Sequence, residues 1–568
     1  MPRTGASGRP GSRPTVYAAP VSLLLGPVLR HVDTTSAVIW VQTTRAGTVS
    51  VHTAGDGGPS GSAVAGTFEI SGHHFALVTV SGLAPDSAVG YRVELDGEPV
   101  WPPAAHPFPP SLIRTRGLDA GQKLEVVFGS CRYPKTGESK LEDRLGPDAL
   151  DRYATRMAGL PPRSWPDLLV LLGDQVYADE LTPEARRGLA GRRRQGRASR
   201  RPPDEVVSFG EYVRLYEASW SDPEIRWLLS TVPTAMIFDD HDVRDDWNTS
   251  AAWRTEMAGT GWWADRIRAA LASYWVYQHL GNLSPAELER DQDYRALLAE
   301  PGDRWPLVAE LADRADRETD GVKGVRFSFS WQLGRNRLVM IDSRNGRILT
   351  TGERAMLSDR EFRWVEDTAL NGLDGVDHLI LASSLPWLLP PVISELQSAN
   401  ERAADRPGPL GRLAEAIRQI ADLEHWPAFD RSFVRFTGLV SRAASSDPGP
   451  ASVSVISGDV HHSYAARAEL PGPAATHQLV CSPLHNYVPG YMRPVFRLGW
   501  SPRLARWARA VLRPRSLPDR PLRWDRRCGP LFGNTVATLR LDERRAEVLF
   551  EQPDEREPLT ETARLTLS

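Results

Sequence analysis

The sequence predicts an α/β protein in two parts, an all-β sandwich followed by a layered α/β/α domain. Three observations carry this. Between about residues 20 and 117, short alternating apolar and polar runs are punctuated by turn residues, the pattern of half-buried antiparallel strands. From about 118 onward the runs become continuously apolar and alternate with helical stretches, as do strands of a sheet covered on both faces. Each of those runs ends in polar residues, where open α/β sheets gather ligands. The chain has 568 residues, 41% hydrophobic and 24% charged, which excludes disorder throughout. At roughly 100–200 residues per domain, it has room for two to four domains.

Taken in order, residues 1–19 read as a flexible tail. Strands follow in "TSAVIWVQT", "GTVSVHTAG", "GTFEISG", "HHFALVTVSGL" and "VGYRVELDG". The phrase "VSGLAPDSAVGYRVEL", a Leu–Pro turn leading into a strand that carries a Tyr, resembles a corner of a fibronectin/Ig-like β-sandwich. That domain is assigned 20–117, with "PAAHPFPPS" as linker. The second domain, 118–568, places strands in "LEVVFGSCR", "DLLVLLGDQVYAD", "TAMIFDDHDVRDDWN", "RLVMIDSRNGR", "HLILASSLPW" and "SVSVISGDVHH". Helices lie between them, as in "FGEYVRLYEASW" and "ADRIRAALASYWVYQHL". The closing "TVATLRLDERRAEVLFE" reads as a hairpin turning at Asp542–Arg545 on the sheet edge. Two basic insertions interrupt the domain, 185–203 (a mobile loop by its low complexity) and 491–527.

Net charge is −3, so no global field draws the chain to nucleic acid or anionic lipid. Its 64 Arg against 4 Lys is a compositional bias that weakens the meaning of any single Arg cluster. Three cysteines cannot form a disulfide framework. No signal-peptide pattern and no run of about 20 apolar residues is present. The expectation is a cytoplasmic location, and the sequence carries no signal of oligomeric state.

The strand ends collect Cys131, Asp174, Tyr177, Asp239, Asp240, His241, Asp242, Asp245, Asp246, Asp459, His461 and His462. Carboxylates pooled at one sheet edge repel one another and resist desolvation unless cations neutralise them. Asp, His, Asn and a thiolate are metal-ligand chemistry, and two adjacent cations suit phosphoryl transfer to water. A tyrosine-phosphatase-type nucleophile at Cys131 is excluded, because C-x5-R needs Arg where the chain has Gly137.

The series "FGSC", "LLGDQVYAD", "FDDHD", "MIDSR" and "ISGDVHH" resembles alkaline phosphatase D, the PhoD-like branch of the calcineurin-type metallophosphoesterases, in order and in strand context. The resemblance implies a hydrolase of phosphomonoesters or phosphodiesters with neighbouring Fe3+ and Ca2+, Zn2+ or Mn2+ being alternatives. Cys131, Asp174 and Tyr177 would bind the iron, Asp174 bridging, with Asp459 and His461 as further ligands. His241 would stand beside the phosphate as proton donor or transition-state stabiliser while a metal-bound hydroxide attacks in line. Asp240 and Arg344 are placed with His241 in the catalytic set; Arg132, His462 and Asn248 are assigned to substrate. One departure stands out: Asp246 occupies the position of the family's usual Asn ligand, which puts metal identity in question.

Plainer roles compete. Cys131 and Tyr177 are also ordinary core residues, Asp239 or Asp240 also a helix cap, Asp342 and Arg344 also a structural ion pair, and His462 also a packed histidine. His485 and Asn486 follow another strand, and Trp253, Trp262 and Trp263 are candidates for cleft walls. The insertions 185–208, 283–325 and 388–446 are expected to close over the site and set monoester or diester preference. Segment 491–527, with 11 Arg and two Asp, reads as a lid or an Arg-rich flank, its prolines confining any helix to about 503–513. A weak membrane-surface contact through it is the other reading, with no specific nucleic-acid partner. The function class set against the hydrolase is a non-catalytic phosphate-sensing or membrane- or nucleic-acid-docking protein on the same fold.

Overall fold

The computed structural model describes residues 22–54, 61–118, 121, 123–195, 201–320, 324–512, 522–554 and 556–568. The N-terminal tail 1–19, residues 196–200 of the first basic insertion and 513–521 of the second lie outside them. The sandwich pairs a sheet of Leu23–Val32, Ser36–Thr43, His73–Ser81 and Phe68–Ile70 with one of Ser62–Gly66, Thr48–Ala54, Ala88–Leu95 and Glu98–Trp101, to which Leu112–Arg114 adds. Strand Leu23–Val32 was not among the expected strands. Its apolar run does not alternate because both faces are covered. Leu29, Ile39 and Val41 face the sandwich core, whereas Val28, Val38 and Trp40 join the core of the second domain. Arg30 crosses with them, fully buried, donating to Gln278 O at 2.6 Å and Asn282 Oδ1 at 2.9 Å.

The second domain holds two sheets rather than one. The first runs in the order Thr234–Ile237, Leu168–Leu172, Leu124–Gly129, Val536–Asp542, Arg545–Gln552, Thr560–Thr566; its first three strands are parallel. The second runs Phe329–Leu333, Asn336–Ile341, His378–Ser383, Ser452–Ser457, Ala475–Val480, Ser463–Glu469, Arg523–Leu531, with four parallel strands at its centre. Leu338, Met340, Ile380, Ala382 and Ile456 share a core with the first sheet. Their neighbours Val339, Ile341, Leu379, Leu381, Val453 and Val455 pack with residues of helices Asp359–Leu370 and Asp430–Ala444. A strand with both faces buried reads the same whether a helix or a second sheet covers it, so sequence pattern alone leaves the second sheet invisible. The hairpin turns between Asp542 and Arg545, and Thr560–Thr566 caps that edge.

The basic stretch expected to be a loop is helical over Pro183–Gln195. In the second basic segment, helix Pro502–Leu512 is preceded by Arg493–Gly499, whose Pro494 sits in the first turn, where a missing N–H costs nothing. Within 283–325, the helices between Pro285 and Asp320 lie against the sandwich and the long helix Trp263–Tyr274; Arg304 N bonds Glu69 O at 2.8 Å.

Candidate metal centre

All parallel strands of both sheets deliver their C-terminal ends to one rim. There the sheets are stitched together: Asp459 N donates to Ser130 Oγ at 3.0 Å and Leu484 N to Ser130 O at 2.8 Å. Gly458 permits this approach, since a Cβ there would fall on Ser130 Oγ. The backbone leaves the strands sharply. Cys131, Asp246, Asn248, Asp422, Asp459 and His461 all have φ between 46° and 67°. That region costs a non-glycine residue on the order of 1 kcal/mol or more, least for Asn and Asp, and such strain concentrates at functional sites.

Three overlapping donor groups result, each with one ligand atom per residue and all atoms within 4.8 Å of one another: Cys131–Asp174–His461, Asp174–Asp239–Asp240, and Asp240–Glu424–Asp459. Asp174 belongs to two of them, the position a bridging carboxylate needs. Its Oδ1 and Asp239 Oδ2 are buried acceptors with no hydrogen-bond partner. A fourth acidic group among the described residues, Asp151–Asp222–Glu224, is closed by Lys135, 3.1 Å from Asp151 and 2.6 Å from Asp222.

The electrostatics follow from this crowding. Burial, reinforced by Asp240, Asp242 and Asp459, pushes the Asp174 carboxyl well above the usual carboxylate range. Burial and Glu424 raise Asp240 to about 7, and burial with Glu424 and Asp422 raises Asp246 to about 9. Burial pushes the Cys131 thiol up, with Asp174 and Asp459 adding. Asp459 moves the other way: burial would raise it, but His425 Nε2 at 2.8 Å and Arg344 hold it ionised. Such a set is stable as carboxylates only beside added positive charge. The donors fit a pair of cations.

Around this core the expected residues fall into place unevenly. Tyr177 is buried, its hydroxyl accepting from Asn486 Nδ2 at 2.9 Å and its ring 5.0 Å from that of His241. His241 Nδ1 lies 2.9 Å from Asp179 Oδ1, and although burial alone would depress the imidazole, the Asp179 carboxylate raises it well above its ordinary value. Arg344 is fully buried and surrounded by carboxylates: Asp239 at Nε, Asp240 and Asp459 at Nη2 (both 3.1 Å), Glu424 at Nη1 (2.5 Å). It neutralises the acid cluster rather than standing open to a phosphate. Asp342 accepts from the Arg344 and Asn345 backbones, so it shapes this turn and forms no ion pair with the guanidinium.

Three substrate assignments meet residues already committed elsewhere. Arg132 is pinned to Asp148 at 2.7 Å and to Ser219 O at 2.7 Å. Asn248 donates to Arg344 O and accepts from Arg254 Nη1. His462 bonds Val460 O and stacks between Tyr464 and Phe496. Asp246 stands outside the three donor groups, its backbone N 3.3 Å from Asp240 Oδ2. His485 bonds the carbonyls of Tyr133 and Gly146, and Trp253 and Trp263 pack edge to face within the main core. Four site residues went unnamed in the sequence: Asp179, Asp422, Glu424 and His425. Asp179 closes the very motif that supplies Asp174 and Tyr177. The other three arrive on a helix-to-helix connection in 388–446, with no strand end to flag them.

The rim shared by the two mixed sheets is thus acid-rich and built of side chains able to hold cations. Residues 152–303 match the family model of PhoD-like phosphatases. Residues 20–113 match a domain of unknown function, DUF7800. Among solved structures, one described as the structure of PhoD is 13% identical and covers 96% of this chain and 92% of its own, with TM-score 0.57, a likeness of fold. A dimetal phosphatase from Danio rerio is 10% identical, covering 78% of this chain and 98% of its own, at TM-score 0.31, too loose to bear on the fold. No curated protein matches the sequence.

Proposed function

We propose that the protein is a phosphomonoesterase or phosphodiesterase that uses two unlike cations at this rim. The observation that carries the reading is the shared Asp174 between a group containing a thiol and an imidazole and a group of carboxylates. With Tyr177 beside it, the Cys131–Asp174–His461 group offers soft and nitrogen donors suited to a transition metal such as Fe3+ or Zn2+. The Asp174–Asp239–Asp240 group, which shares Asp174, offers only oxygen, which suits Ca2+ or Mn2+. Cations held there would polarise the phosphate oxygens and make water a nucleophile near neutral pH.

The chain's own residues supply the rest. Asp179 fixes the His241 ring through Nδ1 and favours its protonated form, and the ring is 14% exposed, so Nε2 can deliver a proton to the departing alkoxide. Arg344 and Arg347 offset the charge of Glu424, which holds the acid cluster together while substrate exchanges. Asn486 orients the Tyr177 hydroxyl through its amide.

The test is hydrolysis of nitrophenyl phosphate and bis-nitrophenyl phosphate by protein stripped with chelator and reloaded with Fe3+ and Ca2+, Zn2+ or Mn2+. Turnover restored only by metal supports the reading; turnover undiminished after complete stripping refutes it. A phenolate Tyr177 on ferric iron would also give a violet to brown charge-transfer colour, whereas colourless, fully loaded protein would assign a different metal.

A further inference from the structure

Two helices of this protein are packed inside out. In Pro409–Ile420 the residues turned inward are Gly411, Ala414 and Arg418, while Leu410, Leu413, Ile417 and Ile420 form an exposed stripe at i, i+3, i+7 and i+10; Ile420 is 83% exposed. In Pro502–Leu512 only Ala508 is buried, and Leu504, Trp507 and Val511 are exposed at i, i+3 and i+7, with Trp507 at 63%. Both pack against Pro391–Ala404, which itself exposes Leu396, and helix Arg493–Gly499 joins the same group with Val495 and Leu498 exposed. Ten of the sixteen large apolar residues exposed among the described residues lie on these four helices. Scattered exposure is ordinary, but such concentration on neighbouring helices marks an interaction surface.

The charge around these stripes selects the partner. Residues 491–512 carry five Arg and no Asp or Glu. Arg503 and Arg506 are exposed beside Leu504 and Trp507, and Arg412 is exposed beside Leu413. Arg509 anchors the helix by its contact with Glu395 at 3.0 Å. An apolar stripe with an interfacial Trp and a cationic rim is the chemistry of a helix lying in an anionic bilayer surface, with arginine stems along the acyl boundary and their heads at the headgroups. A phosphate backbone would use the arginines and leave the leucines in water. Among the described residues no helix is long and apolar enough to cross a membrane.

We propose that helices Pro409–Ile420, Arg493–Gly499 and Pro502–Leu512 form a docking face for anionic lipid bilayers. The face adjoins the metal centre: Ile420 precedes Asp422 by two residues, and Phe496 stacks on His462 at 4.2 Å.

The test is co-sedimentation of the full chain with phosphatidylcholine vesicles, with and without about one third phosphatidylserine, at low and high salt. Expected are binding to the anionic vesicles, weakening at high salt, and at least a tenfold loss of partitioning in Ile417→Asp/Trp507→Glu with the melting temperature kept. Arg503→Glu/Arg506→Glu leaves both stripes intact and should lose most of the anionic preference, which keeps the test decisive if the first variant fails to fold. The proposal is overturned if wild type stays in the supernatant with anionic vesicles or if both variants bind as wild type does. It is likewise overturned if lipid-free wild type self-associates through this face, with Ile417→Asp/Trp507→Glu monomeric and vesicles unbound.

Discussion

Replacing Asp179 by Asn keeps the side chain's size but removes the charge facing His241 and one of its two acceptor oxygens. In the structure Asp179 Oδ1 lies 2.9 Å from His241 Nδ1, and Oδ2 accepts the Asp245 backbone N–H at 2.5 Å, so Asn, with a single acceptor oxygen, can serve only one of the two donors. A buried hydrogen bond to a charged group contributes about 1.5–3 kcal/mol, and each 1.4 kcal/mol is a factor of ten. If that stabilisation is spent on protonating the leaving oxygen, kcat for an alkyl phosphate should fall about 10–100-fold. An aryl ester whose nitrophenolate leaves unaided should lose less than about threefold, since it needs no acid. Steady-state kinetics on the matched pair, at equal metal content, give the ratio. Equal losses on the two esters would refute the assignment of His241 as proton donor and leave Asp179 a structural residue.

Other consequences follow from particular contacts. Arg132→Ala should destabilise the fold by about 3–5 kcal/mol, because it strands the fully buried Asp148 carboxylate that also caps helix Ala149–Ala158; a large drop in the urea midpoint, with KM unchanged in whatever fraction folds, distinguishes this from a substrate role. Gly458→Ala should cost at least about tenfold in activity and lower metal content, since the new methyl must displace Ser130 and with it the Cys131–Asp459 approach. Wild-type occupancy by metal analysis would contradict that. Asp240 and Asp246, raised to about 7 and about 9, keep protons in the fold that the unfolded chain releases above about pH 4. The metal-free fold therefore binds more protons than the unfolded chain across that window and loses stability as pH rises through it. Cations cancel this penalty, so the gap in melting temperature between loaded and chelated protein should widen from pH 5 to 8, with protons released on metal binding. A constant gap would be evidence against carboxylate ligation.

The fold was legible where one residue pattern has one physical meaning. The alternation in "GTVSVHTAG" and the turn at Asp542–Arg545 each allow a single reading, and the polar residues after several apolar runs come together at one rim because strand ends are where backbone geometry exposes side chains. Strand Leu23–Val32 was missed because it is covered on both sides, and the second sheet because burial by a sheet and by a helix leave the same sequence trace. At the site, Cys131, Asp174, Asp240, Asp459 and His461 were accessible from their strands. Glu424 and His425 were not, since a loop between helices reaches the rim only through tertiary packing. Arg132 and Asn248 show the converse: adjacency to a motif in sequence places a residue near the rim, but whether its polar atoms face outward depends on partners such as Asp148 and Arg254, which lie elsewhere in the chain.

The central claim is that the Asp174 carboxylate joins two cation positions and that hydrolysis depends on both. Metal content per chain, measured by plasma mass spectrometry on wild type and Asp174→Asn alongside phosphate-ester turnover, tests it most directly. The account predicts about two cations per wild-type chain, and in the variant near-complete loss of metal together with turnover. Full metal occupancy with undiminished hydrolysis in Asp174→Asn would contradict it.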